Sequence, residues 1–165
     1  MEMLQKPELD QLNSSFRNAS AEEILYYSYK RWGSTSLGMT TAFGYSGVYL
    51  MYLLSSLNYM VDVYFIDTGR HFVETYRFAD KIKRYFNLPI HTIGPDEKLK
   101  QYVYEKLGSF PWLINPNICC HYLKVAPLLE ILPEKDAWIS GLRRDQSSTR
   151  RNIEIFQYDS RGTLK

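Results

Sequence analysis

The sequence predicts an α/β protein with a parallel sheet and helices on both of its faces. Three observations carry that expectation. Short apolar runs of strand length alternate with longer amphipathic segments along the chain. Turn chemistry punctuates the junctions, at Gly33, Gly44, Asp67-Thr68-Gly69 and Gly108. The 165 residues, 45% of them hydrophobic, suffice to bury one core.

Ser20-Ala21-Glu22-Glu23 has the form of a capping box, so a helix opens there and runs to about Trp32 before Gly33. Residues 37–43 are a buried strand. The turn Gly44-Tyr45-Ser46-Gly47 leads into an apolar helix over 48–57. Residues 61–66 are a second strand, closed by Asp67-Thr68-Gly69, and a charged amphipathic helix covers about 72–86. A short third strand spans 89–93, followed by a solvated helix over 96–107. Residues 108–118, with Gly, two Pro and two Asn, read as a loop. Residues 119–132 have helical character, and Pro127 inside them either kinks or splits the helix. Residues 136–140 are a fourth strand, and 153–158 have the composition of a fifth.

Charge excludes some functions. Lys and Arg number 20 against 18 Asp and Glu, a net +2 that is too small to drive nucleic-acid binding. The only two cysteines, Cys119 and Cys120, are adjacent, which excludes a disulfide scaffold and suits a reducing compartment. The N-terminal residues form no apolar leader, and no stretch is long and apolar enough to span a bilayer, so a cytoplasmic location is expected.

In a parallel sheet, ligands gather at the carboxyl ends of the strands. Three polar segments fall there: 44–47, 67–71 and 141–150. The first, after Phe43, combines two glycines with a helix N-terminus, which suits an anion, although a plain strand-to-helix turn has the same composition. It matches neither a G-x-x-x-x-G-K-[ST] loop nor a G-x-G-x-x-G fingerprint. Asp67-Thr68-Gly69 suits either a nucleoside contact or an Asp turn feeding a helix. Arg143, Arg144, Arg150 and Arg151 suit an oxyanion clamp or a solvated surface paired with Asp145. Cys119 and Cys120 are half of a metal site or two small residues at a helix start.

Taken together, these segments resemble the adenylyl-sulfate and phosphoadenylyl-sulfate (APS/PAPS) reductase family. The carrying runs are Thr41-Ala42-Phe43-Gly44, Ile66-Asp67-Thr68-Gly69 with Phe72 and Glu74-Thr75, and Cys119-Cys120-His121 followed by Lys124-Val125-x-Pro127-Leu128. The most specific is Asp136-Ala137-Trp138-Ile139-Ser140-Gly141-Leu142-Arg143-Arg144-Asp145-Gln146-Ser147 with Arg150. The resemblance implies the adenine-nucleotide alpha-hydrolase type of fold, with about five parallel strands. It also implies two regions, a helical segment over 1–35 packing on a sulfonucleotide-binding domain over 36–165.

The implied reaction reduces adenylyl sulfate or phosphoadenylyl sulfate to sulfite and the nucleotide in sulfate assimilation, with thioredoxin or glutaredoxin as reductant. The resemblance places the substrate on Phe43, Gly44, Tyr45, Ser46, Gly47, Asp67, Thr68 and Gly69, and on Arg143, Arg144, Gln146 and Arg150, with Lys124 and Arg143 in catalytic roles. It makes Cys119 and Cys120 two of the four ligands of a [4Fe–4S] cluster. Departures from the pattern are Ala42 for Ser, Arg70 and Val73 for Tyr and Pro, and Ala126 for Glu. The family's later Cys-x-x-Cys and its nucleophilic Glu-Cys-Gly do not occur in the chain, so the expectation is a protein that binds the nucleotide without reducing it. Neither nucleic acid nor membrane is an expected partner, and a homo-oligomer is compatible with the sequence. Two other readings stand beside this one: a non-catalytic sulfonucleotide-binding protein, and an ATP pyrophosphatase akin to the sulfate adenylyltransferase small subunit. The latter uses Ser-Gly-Gly-x-Asp-Ser, whereas Ser46-Gly47-Val48-Tyr49-Leu50 lacks the second Gly, the Asp and the last Ser.

Overall fold

A computed structural model describes residues 4–159 and 162–165. Its sheet has four parallel strands: β1 (Leu37–Thr41), β2 (Asp62–Ile66), β3 (Ile90–Ile93) and β4 (Ala137–Ile139), in the spatial order β3-β2-β1-β4. Every carboxyl end therefore lies on one side, as the alternating pattern requires. The expected fifth strand is a correction. Residues 153–157 form no strand, and only single bridges tie Leu164 to Ala137 and Tyr158. Asn13 accounts for part of this. Its amide Nδ2 donates to the Phe156 carbonyl at 2.8 Å, and its Oδ1 accepts from the Phe156 N–H at 2.8 Å. Phe156 thus spends its ladder groups on a side chain, while its ring is buried beside Phe16 and Tyr27.

The two sheet faces carry different cores. Met39, Val63, Phe65 and Ala137 share a large cluster with Leu25, Met51 and Leu54 from the helices α2 (Ala21–Ser36) and α3 (Tyr45–Ser56). Tyr64 and Trp138 point the other way, against Leu132. The helices α4 (Val73–Tyr85) and α5 (Glu97–Leu107) follow β2 and β3. The helix α1 (Lys6–Ser15) precedes them all and is held by Asn13.

Local chemistry sets the helix ends. Ser20 accepts from the Glu23 N–H at 3.2 Å, and Glu23 accepts from the Ser20 N–H at 2.7 Å, completing the capping box. Ser20→Ala is therefore expected to lower stability by about 1 kcal/mol in urea titrations. Gly33, at φ 69°, breaks α2 where the sequence predicts its end. By contrast, α3 begins at Tyr45 rather than at Val48, because Phe43 takes a left-handed conformation (φ 57°) and leaves Gly44 as the cap. The expected loop over 108–118 contains the short helices α6 (Pro111–Ile114) and α7 (Pro116–Cys120), each started by a proline. From there to α8 (Ala126–Ile131) the helical segments follow one another with no loop between them. A π-helical turn, His121–Val125, joins α7 to α8, with the Ala126 N–H donating to the His121 carbonyl. Pro127 explains it: its ring crowds the Leu123 carbonyl, which has no N–H to meet there, and the wider turn relieves both problems.

At the amino ends of the strands, Lys135 is buried. Its ammonium donates to the Thr35 carbonyl and to Asp62 Oδ2, both at 2.7 Å, and His91 Nε2 lies 2.8 Å from Asp62 Oδ1. This tie joins the ends of α2, β2, β3 and β4 away from the polar loops.

Candidate functional site

The glycine turn presents backbone N–H groups. Phe43 is buried by its ring, 4.7 Å from Phe65, and its N–H donates to Thr41 Oγ1 at 2.9 Å. Tyr45, Ser46 and Gly47 then form the first turn of α3, whose N–H groups have no helical acceptors and no side-chain cap. They face the carboxyl ends of the strands with the positive end of the helix dipole. Gly47 is required here, since a Cβ would lie 2.7 Å from Thr41 Oγ1.

Arg143 closes over this turn. Its Nη1 donates to Ser46 Oγ at 2.8 Å, and its Nε to Asp145 Oδ1 at 3.0 Å. That hydrogen bond and the arginine charge hold the Asp145 carboxyl below its usual range. Gly141 allows the approach, because a Cβ there would meet Ser46 Cβ at 2.9 Å and the Gly47 nitrogen at 3.2 Å. Gln146 Oε1 accepts from the Arg143 N–H at 3.3 Å and from Arg150 Nη1. Arg143, Gln146 and Arg150 are thereby one connected unit, which reaches the turn through Arg143. Arg144 departs from this group, its Nε donating to the Ile153 carbonyl at 2.9 Å.

The second loop is built around Asp67. Its Oδ1 accepts from the Gly69 N–H and from the Tyr76 hydroxyl, each at 2.8 Å. The carboxylate therefore acts first as the Asp turn that the sequence allows. Burial raises the Tyr76 hydroxyl's pKa, as does its bond to Asp67. Thr68 is buried, and Gly69 takes φ 72°. Sequence reasoning missed Gly94. A Cβ there would lie 2.2 Å from the Asp67 carbonyl oxygen, so the end of β3 fixes this loop. The glycine directly after a strand was the available signal of a close backbone approach. Gly94→Ala is expected to cost about 1–3 kcal/mol by forcing the loop outward, measured by thermal melting.

Also unforeseen is the setting of Arg70. Its guanidinium lies 4.8 Å from the ring centres of both Tyr104 and Trp112, and its Nε donates to the Tyr104 hydroxyl at 2.7 Å. The loop after β2 is thereby joined to α5 and α6. Arg70 and Lys124 both place positive charge near Cys119.

Cys119 is buried with Val103 and Leu123, and Cys120 is exposed. Burial pushes the Cys119 thiol upward, as does Cys120, against the pull of Lys124 and Arg70. Among the described residues, no group of three or more His, Cys, Asp or Glu stands where it could hold a metal ion. The pair offers two thiols, half of what a four-thiolate cluster needs, so these residues do not make a complete cluster site. No helix of the described residues is long and apolar enough to cross a membrane.

An apolar cavity of about 540 Å³ lies between α2 and β4, lined by Ile24, Trp32 and Leu164 among others. It touches neither the glycine turn, nor the Asp67 loop, nor the cysteine pair, but Leu142, Arg144 and Asp145 of the arginine loop line part of it.

Known proteins share this architecture. The family model of the phosphoadenosine phosphosulfate reductase domain matches residues 36–164. Adenosine 5'-phosphosulfate reductase 2 of Bacillus subtilis (strain 168) is 36% identical over 164 residues, 99% of this chain and 66% of that protein. The adenosine 5'-phosphosulfate reductase of Staphylococcus haemolyticus (strain JCSC1435) is 36% identical over 156 residues, 94% of this chain and 63% of that protein. The chain thus spans a little under two thirds of the length of these curated relatives. A crystal structure of phosphoadenylyl-sulfate (PAPS) reductase from Candida auris, a phosphate complex, is similar with TM-score 0.83 and 26% identity, covering 99% of this chain and 79% of that one. The family match covers every strand and each of the three loops above, and the chain belongs to the phosphoadenosine phosphosulfate reductase domain family.

Proposed function

We propose that this chain is the nucleotide-binding part of a sulfonucleotide reductase, an oxidoreductase of sulfate assimilation. The complete enzyme would convert adenylyl sulfate or phosphoadenylyl sulfate to sulfite and the nucleotide, with thioredoxin or glutaredoxin thiols supplying the electrons. One observation carries the reading: Arg143 reaches across to Ser46, placing a guanidinium over the free N–H groups of the first turn of α3. Both features suit the oxygens of a phosphosulfate.

In this reading the phosphosulfate lies between residues 43–47 and the unit Arg143, Gln146 and Arg150, with the nucleoside at Asp67-Thr68-Gly69. A thiolate attacks the sulfate sulfur, a sulfur–sulfur bond forms, and the bond from sulfur to the phosphate oxygen breaks. The phosphate leaves with the electron pair, so charge grows on its oxygens. Arg143 and the turn's N–H groups, already in place, favour that charge more than the ground state. Lys124, exposed on the π-helical turn, is the further cation we assign to the reaction. A reductant thiolate then attacks the enzyme's sulfur in that bond, sulfite leaves with the bonding pair, and a second reductant thiol resolves the mixed disulfide. We assign Cys119 and Cys120 to an iron–sulfur cluster that thiolates from outside these 165 residues complete, and therefore place the attacking thiol outside them too. The cytoplasm is the compartment that suits an adjacent thiol pair.

Calorimetry tests the binding role. Adenylyl sulfate and AMP are expected to bind with micromolar-class affinity, while the chain with thioredoxin alone releases no sulfite. Absence of binding by both ligands, or release of pyrophosphate from ATP, would overturn the reading.

A further inference from the structure

Arg144, expected in the phosphosulfate clamp, instead lines a polar cavity of about 540 Å³ on the far side of the arginine loop. Arg17, just past the end of α1, and Arg151 line the same cavity. We propose that this cavity is a second oxyanion site, where one phosphate or sulfate binds to Arg17, Arg144 and Arg151.

Three facts support the assignment. First, among the described residues none of the three guanidiniums forms an ion pair, and only that of Arg144 makes a hydrogen bond, to the Ile153 carbonyl. The lining carries more positive than negative charge, and a bound anion offsets the excess. Guanidinium forks also match the geometry of tetrahedral oxyanions better than ammonium groups do.

Second, the walls are held in place. The two 2.8 Å bonds between Asn13 and the backbone of Phe156 fix α1 against the segment that carries Arg151. The backbone that carries the arginines therefore needs little ordering when the cavity is filled. Third, Asp10 and Glu154 also line it. With them the walls carry three positive charges and two negative ones. That balance favours one small anion on the arginines and disfavours an extended polyanion, so nucleic acid does not fit.

The site is separate from the proposed substrate site. Arg143 faces Ser46, whereas the neighbouring Arg144 faces the other way, so one loop presents arginines to two places. Inorganic phosphate and sulfate are the anions the site takes, and the arm with AMP separates it from the proposed substrate site.

Inorganic phosphate, and in parallel sulfate, is titrated into the chain with and without saturating AMP, following the arginine Nε–H resonances. The wild type is expected to show saturable shifts at Arg17, Arg144 and Arg151 that persist with AMP present. Arg17→Ala/Arg151→Ala, which changes two exposed side chains that make no side-chain bond among the described residues, should weaken this binding at least tenfold while leaving the melting temperature unchanged. Retention of the wild-type affinity in that variant overturns the proposal. So does the absence of saturation at these three resonances in either arm, or their loss on adding AMP. The arm without AMP reads this site even if the chain binds no nucleotide, so failure here and failure of the reductase reading are distinguishable.

Discussion

Arg143→Ala lowers the affinity for adenylyl sulfate and AMP by about 10- to 100-fold, read by calorimetry at fixed ionic strength. The magnitude follows from losing charged hydrogen bonds, worth about 1.5–3 kcal/mol, at about 1.4 kcal/mol per tenfold. The side chain is half-exposed and the fold does not rest on it: its partners are Ser46, across the site, and Asp145, in its own loop. The variant should therefore melt at the wild-type temperature. A conservative Arg143→Lys recovers only part of the affinity, because an ammonium cannot span Ser46, Asp145 and a ligand oxygen together. Unchanged affinity in Arg143→Ala would remove this residue from the site.

The largest effect on stability is expected from Lys135→Ala, about 3 kcal/mol in urea unfolding. Its ammonium is buried, and removing it leaves Asp62 and the Thr35 carbonyl without their shared donor. We take the low end of the usual range because the Asp62 side chain is 28% exposed and water replaces part of the loss. Out of a typical total of about 5–15 kcal/mol this is a large share. The pH dependence follows from Asp62. Burial alone would raise its pKa, but the bonds from Lys135 and His91 outweigh burial and hold it below the ordinary carboxylate value. A carboxyl whose folded-state pKa is depressed stabilises above its unfolded pKa, about 3.9, and the gain is lost as pH falls through the folded-state value. The gap between wild type and Lys135→Ala should thus be full above about pH 5 and shrink toward pH 2.

Much of the fold was legible because buried strands and capped helices write themselves into local composition. Ser20 with Glu23 fixed the start of α2, Gly33 its break, and the four apolar runs the four strands. What the sequence did not reveal depended on contacts between distant residues. The 153–158 run has strand composition, yet Asn13, 143 residues away, takes both backbone groups of Phe156. The π-helical turn was half-visible: Pro127 announced trouble, but not that the backbone absorbs it with a bond from the Ala126 N–H to the His121 carbonyl.

The site divides in the same way. Three loops at strand ends were readable, together with the Asp67 turn. That Arg143 turns to Ser46 while Arg144 turns to Ile153 was not, since two adjacent arginines have the same local composition. Gly94 and the Arg70 stack were hidden because each serves a loop that is distant in the chain.

The central claim is that adenylyl sulfate sits between the first turn of α3 and the arginine loop. Backbone amide shifts in isotope-labelled protein test it most directly. Titration with adenylyl sulfate should move the amides of Gly44, Ser46, Gly47, Gly69 and Gly141 first and furthest, with Ile24, Trp32 and Leu164 of the apolar cavity unmoved. Shifts confined to those cavity residues, or no saturable shifts at millimolar ligand, would contradict the account.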